Sequence, residues 1–251
     1  MTCRVHGMAA IAMSVLSADF ARLSEALSLA EAVGCSMLHV QVMDGHFVPD
    51  LSVGQPVIES LRKAWPFHLS IELLVERPER FVEDMAKAGA DRLAIHGEAT
   101  PDAHRALRQV RAAGCKVGLA LNPGTSIEAV GPLLPCADYL VVLTADPGLG
   151  EEKFIEGMAD KVLSARKEAT RRGLPLEIVA AGGIGPAELE PLVNAGADIL
   201  VVGSAIFNNH DPESVLEEMM RRVRRAQGES AGGMTTNHVA EHPVAGSSRT
   251  S

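Results

Sequence analysis

Short aliphatic runs alternate with longer segments of helical periodicity along most of the chain. The runs cover residues 10–16, 37–43, 67–75, 92–96, 116–121, 139–144, 176–181 and 198–203. They are mostly β-branched or aliphatic and are bounded by Gly, Pro, Asp or Asn. That is the pattern of strands buried on both faces of a parallel sheet. Between them, apolar residues three and four apart predict helices over 22–33, 78–88, 101–113, 152–172, 186–195 and 212–225. Eight such strands interleaved with helices predict an α/β chain folded as a single-domain (β/α)8 TIM barrel over 10–226. Residues 1–9 form an N-terminal extension. Residues 227–251, rich in Gly, Ser, Thr and His with no apolar period, are expected to be a disordered tail. A doubly wound open sheet is the structural rival, but no strand here is followed by G-x-G-x-x-G.

The helix-to-strand junctions resemble one another: Ala-Val-Gly34-Cys-Ser, Lys-Ala-Gly89-Ala-Asp and Asn-Ala-Gly196-Ala-Asp. Each places Gly where a helix C-terminus needs a left-handed residue. Their spacings are near two and four multiples of one βα unit of roughly 27 residues. Composition narrows the function classes. The 251 residues are 47% hydrophobic and 3% aromatic, with a net charge of −9. An acidic chain without a basic tract, and with few rings to stack on bases, is a poor partner for nucleic acid or an anionic membrane. No run approaches the roughly 18 apolar residues that span a bilayer. Ser14, Ser17 and Asp19 interrupt any signal-peptide core. Cys3, Cys35, Cys115 and Cys136 make no C-x-x-C pair and read as buried thiols of a reducing, cytoplasmic compartment.

In a TIM barrel the site lies at the C-terminal ends of the strands. Two of those ends carry glycine: Ala-Ala-Gly182-Gly183-Ile-Gly185 after the seventh strand and Val-Gly203-Ser204-Ala-Ile after the eighth. Loops at these two positions commonly bind phosphate through bare backbone N–H groups, which a Cβ would hold away. Phosphate held by dipoles needs no basic patch. The competing reading is that these glycines only permit tight turns.

Further motifs follow in order. They are Ser14-Val-Leu-Ser-Ala-Asp19, Val42-Met-Asp-Gly-His-Phe-Val-Pro49, Leu73-Leu-Val-Glu-Arg-Pro78, His96-Gly-Glu-Ala-Thr100, Gly118-Leu-Ala-Leu-Asn-Pro-Gly-Thr125, Asp146-Pro-Gly-Leu-Gly150 and Gly203-Ser-Ala-Ile206. Over about 10–225 the chain resembles the D-ribulose-5-phosphate 3-epimerase family. The resemblance implies a TIM barrel that inverts C3 of a ketopentose phosphate. A divalent cation stabilises an enediolate, and two aspartates on opposite faces exchange the proton. It also implies a homo-oligomer, sugar contacts from Ser14, Met43 and His39, and phosphate contacts from Gly148, Gly150, Gly182, Gly183, Gly203 and Ser204.

At the implied metal site the match breaks. His39 fits the first ligand, whereas the other three ligand positions hold Gln41, Glu72 and Ala181. Glu151 stands where the phosphate loop has a second glycine. His39 and Glu72 are the remaining candidate metal ligands, and loose or absent metal binding is expected. Gln41 and Glu72 are the candidate catalytic residues, although Gln41 can only accept and donate hydrogen bonds and takes no proton at neutral pH. Glu72, inside an aliphatic mouth, is expected to have a raised pKa and to serve as a base on one face, which suits isomerisation better than inversion. Alternatively it accepts hydrogen bonds from His39 and Gln41 and holds the barrel together. His68, about 13 Å below Glu72 on the same strand, reads as a core histidine. Asp44 reads as a cap of the Asp-Gly turn, and His96 as either a site residue or a satisfied buried imidazole. Two functions follow: an epimerase or isomerase on a small ketose phosphate with altered chemistry, or a non-catalytic phosphosugar-binding relative.

Overall fold

A computed structural model describes residues 9–64, 66, 68–148 and 153–228. Most of the expected tail and of the N-terminal extension, with Gly150 and Glu151, lie outside the described residues. Eight parallel strands close on themselves: β1 (Ala10–Ser14), β2 (Met37–Met43), β3 (His68–Leu74), β4 (Arg92–His96), β5 (Lys116–Leu121), β6 (Tyr139–Leu143), β7 (Glu177–Ala181) and β8 (Ile199–Val202). Pairing of β1 with β8, from Ala10↔Ile199 to Met13↔Val202, closes the ring and excludes the open-sheet rival. The helices are α1 (Leu23–Ala32), α2 (Gln55–Ala64), α3 (Val82–Ala88), α4 (Ala103–Ala112), α5 (Met158–Arg171), α6 (Leu189–Ala195), α7 (Ser204–Phe207) and α8 (Pro212–Ala226). Between β5 and β6 the described crossover contains only single 3₁₀ turns, Glu128–Val130 and Leu134–Cys136. The pattern does not predict α2 or α7.

Strand alternation sorts the core into two layers. On β3, Leu69, Ile71 and Leu73 face the helices, while Leu74 packs inside the barrel with Met43, Val141 and Val201. The barrel floor is polar. The Arg92 guanidinium lies 4.1 Å from the Tyr139 ring centroid and pairs with Glu177 at 2.8 Å. Gly118 makes room for that ring, because a Cβ there would sit 2.3 Å from Tyr139 Cζ. Tyr139 is fully buried and cannot swing away. Gly118→Ala is therefore expected to lower the unfolding free energy by about 1–3 kcal/mol through overpacking. Urea unfolding measures it, and a loss below a few tenths of a kcal/mol would show that the floor yields.

The junctions at the barrel's lower rim share one device. Arg62 of α2 donates through Nε to Gly89 O at 3.0 Å and pairs with Asp91. Arg166 of α5 donates to Gly196 O at 3.1 Å and pairs with Asp198. Gly89 (φ 111°) and Gly196 (φ 100°) are left-handed helix ends, and a Cβ on either would strike the covering arginine. The aspartates then accept from the previous strand, Asp91 from Leu69 N at 2.8 Å and Asp198 from Ile178 N at 2.7 Å. Arg111 and Asp138 repeat the pair at β6, with Asp138 accepting from Val117 N at 2.7 Å.

Two expectations need correction. His68 is not a core residue: it opens β3 with a side chain 67% exposed, 4.0 Å from Asp91. Its strand position puts it at the outer edge of the lower rim. Of the described cysteines, Cys35 and Cys115 are buried but Cys136 only partly so. Burial pushes the Cys35 thiol up, as expected of an inert thiol.

Candidate functional site

The centre of the barrel mouth is the Glu72 carboxylate, with no solvent exposure. Register pairs Gln41 of β2 with Glu72 of β3, and both point inward. Oε2 lies 3.0 Å from His39 Nε2 and accepts from Gln41 Nε2 at 3.1 Å. Oε1 lies 3.0 Å from Nε2 of His96, which closes β4 and is equally buried. One carboxylate thus ties three strands. On its far side the His96 ring has Nδ1 3.6 Å from Glu98 Oε2, an ion-pair distance. Glu98 also accepts from Asn122 N at 2.9 Å.

The electrostatics differ from the expectation for a carboxyl in an apolar mouth. Burial alone pushes Glu72 up, but hydrogen bonds from His39 and His96 and the charge they bring outweigh it. The carboxyl is held well below its ordinary value of 4.5. The raised pKa expected for a base is therefore corrected. The second expectation, that Glu72 accepts from His39 and Gln41, describes the geometry, and His96 adds a third donor. Burial pushes His96 down, yet the Glu72 carboxylate that accepts from its Nε2 and the nearby Glu98 carboxylate carry it above its ordinary value. Glu98 is drawn down to about 2, burial again being outweighed by His96, Thr125 and Asn122.

Beside this cluster lies a pocket lined by Ser14, Gln41, Ala181, Gly182, Gly183, Gly203 and Ser204, among others. The structure so brings together the glycines after β7 and β8, the serine ending β1 and one face of Gln41. The wall formed by Ala181 and Val201 has no side-chain polar atom. Gly183 (φ 63°) is forced by close approach: a Cβ would lie 2.3 Å from Phe154 N. Thr144, fully buried, donates through Oγ1 to Ala181 O at 3.1 Å and fixes the end of β7. Neither Thr144 nor Glu98 is assigned a role by the sequence pattern. Gly148 is not in this lining and packs instead on the β2 loop, where a Cβ would meet Val48 and Pro49 at 3.0 Å. Met43 and His39 lie behind the pocket wall, Met43 inside the barrel and His39 on Glu72.

The loop after β2 roofs the cluster. Asp44 accepts from His46 N at 2.9 Å and Phe47 N at 3.0 Å, the turn-capping role expected of it. It also accepts from Glu76 N at 2.8 Å, joining the β2 and β3 loops. Backbone donors hold its pKa down against partial burial. Phe47 is thereby laid 5.0 Å, centroid to centroid, from the His96 ring.

No described helix is long and apolar enough to cross a membrane. The structural comparisons place the fold. The chain resembles 3-hexulose-6-phosphate synthase from Salmonella typhimurium with a TM-score of 0.64 and 21% identity, over 86% of this chain and 99% of that one. It resembles orotidine 5'-phosphate decarboxylase from Pyrococcus horikoshii with a TM-score of 0.56 and 18% identity, over 85% of this chain and 99% of that one. Sequence comparison is closer. The chain is 41% identical over 198 residues to ribulose-phosphate 3-epimerase of Treponema pallidum, covering 79% of this chain and 91% of that protein. It is 35% identical over 213 residues to the Bacillus subtilis enzyme of the same name, covering 84% of this chain and 98% of that protein. The model of the ribulose-phosphate 3 epimerase family matches residues 10–207, from the first strand through the helix behind Gly203. With that match spanning all eight strands, the chain belongs to the ribulose-phosphate 3-epimerase family.

Proposed function

We propose that this family member binds a small ketose phosphate at the barrel mouth and has departed from metal-assisted inversion. One observation carries the reading: Glu72 engages His39, Gln41 and His96 at 3.0–3.1 Å. A divalent cation would need the His39 and Glu72 electron pairs that this cluster already uses. Gln41 offers only an amide, and Ala181 offers nothing. The donor set therefore does not fit a divalent cation, and no step is derived through one. Nor does Glu72 act as a base, since a carboxylate satisfied by three donors and held low is a poor proton acceptor. Among the described residues that line the pocket, no carboxylate stands on the Ala181 side to return a proton from the other face. The phosphate would lie on the backbone of Gly182, Gly183, Gly203 and Ser204, with Ser14 toward the sugar.

The expected outcome is saturable binding of ribulose 5-phosphate that is unchanged by EDTA. Purified protein is expected to hold substoichiometric metal and to exchange the C3 proton slowly or not at all in deuterated water. Stoichiometric metal with rapid exchange would sink the altered-chemistry reading. Absence of binding would sink the ligand assignment. The catalytic alternative, an isomerase with its own base, is supported by family membership and would show as exchange at another carbon.

A further inference from the structure

Taking the pocket as a sugar-phosphate site, which is the reading above, we propose that Gln41 is its specificity-determining residue. Its carboxamide, locked by Glu72, presents a fixed acceptor to the ligand and selects a neutral polyhydroxy tail over a sugar acid.

The lock follows from hydrogen-bond chemistry. An ionised carboxylate only accepts, so the amide can turn only its nitrogen to Glu72 Oε2, 3.1 Å away. The flipped amide would press two acceptors together at that distance. Glu72 cannot rotate to accommodate it, because Oε2 is also held by His39 and Oε1 by His96. The Gln41 backbone is fixed as well, its carbonyl accepting from Ser52 Oγ at 2.7 Å. Gln41 keeps a 5% exposed face on the pocket, and its free acceptor is Oε1. A ligand hydroxyl can donate to it, whereas a ligand carboxylate cannot.

Charge works in the same direction. Behind Gln41 the cluster sets two imidazoles, His39 and His96, against two carboxylates, Glu72 and Glu98, so each imidazole already faces a carboxylate and none is left over for a ligand anion. A second anionic group at this end would find no uncommitted cation, and the facing Ala181 and Val201 side chains supply no donor to hold it. The anion-accepting amides lie at the other end, at the glycines. The pocket is thus polarised, with a place for a phosphate at one end and for an uncharged hydroxylated chain at the other.

Calorimetric titration of the full-length protein tests this with three five-carbon phosphates: ribitol 5-phosphate, ribulose 5-phosphate and ribonate 5-phosphate. The first two are expected to bind within about threefold of each other, and the sugar acid at least tenfold more weakly. Gln41→Leu is expected to weaken ribitol 5-phosphate about tenfold and ribonate 5-phosphate little, closing the gap, while competition by inorganic phosphate is unchanged. Equal binding of ribitol and ribonate 5-phosphates by the unaltered protein overturns the inference and leaves the sugar-phosphate reading standing. Binding of none of the three overturns both. Because the comparison of ligands uses the unaltered protein, it decides the matter even if Gln41→Leu fails to fold.

Discussion

Replacing Glu72 by leucine is expected to lower the unfolding free energy by about 3–5 kcal/mol, the usual result of removing one partner from a buried, hydrogen-bonded charge cluster. The substitution strands three groups at once: His39 Nε2, Gln41 Nε2 and His96 Nε2 all lose their acceptor. His96 suffers most, since it has no exposure through which water could replace the bond. Glu72→Gln keeps the shape and one acceptor oxygen but turns an N–H₂ toward a histidine. A smaller loss of about 1–3 kcal/mol is expected from one buried group left unsatisfied. Urea unfolding at constant m-value measures both. A loss under about 1 kcal/mol for the leucine variant would show that the cluster does not hold the barrel together.

The same cluster sets a pH signature. Glu72 is lowered on folding, so its stabilisation is complete above its ordinary value of 4.5 and fades as pH falls toward the depressed one. His96 is raised, so its contribution is complete below its ordinary 6.5 and is lost as pH rises through the raised value. Between those limits both contributions are whole. Unfolding free energy is expected to decline below pH 4.5, and Glu72→Gln should remove much of that acid slope. An unchanged slope would place the acid sensitivity elsewhere.

Gly183→Ala is the second large effect expected. Its φ of 63° is left-handed, and the added Cβ would stand 2.3 Å from Phe154 N and 2.7 Å from Lys153 C. Both are backbone atoms, so no rotamer change relieves the clash and the segment between β6 and α5 must shift. Left-handed strain of about 1–2 kcal/mol adds to overpacking of about 1–3 kcal/mol. Ligand binding should suffer too, because Gly182 and Gly183 would move relative to Gly203 and Ser204. At least a tenfold loss of ribulose 5-phosphate affinity is expected. Gly124→Ala, where a Cβ meets nothing within 4 Å, is the control and should be near neutral. Lost stability with unchanged affinity would show that the glycine pair only makes a turn.

Much of the fold is legible in the sequence because strands buried on both faces must be continuously aliphatic. The bounds of β2, β4 and β5 follow directly from that. The ends of β1 and β3 overshoot, since Val15, Leu16 and Val75 remain apolar after the ladder stops. Helix α2 escapes because its buried residues are only Ile58 and Leu61, set among polar neighbours. At the site, alternation suffices to turn Glu72 inward beside Gln41. The charge state of Glu72 is not legible, because it depends on His96, a residue 24 positions away. Burial and hydrogen bonding act in opposite directions on that carboxyl, and only the count of donors decides between them. His68 misleads for a similar reason: parity assigns a face but does not show where the wall ends.

The arginine–aspartate pairs of the lower rim have a consequence for how such a molecule can change. Each clasp joins one βα unit to the next through a junction carbonyl (Gly89, Cys136 or Gly196) and a strand amide, and none involves His39, Gln41, Glu72 or Ala181. The ring is fastened at the end away from the opening. Selection can therefore rewrite the residues around the opening, trading one set of bonds for another, while the hoop beneath keeps its circumference and strand order.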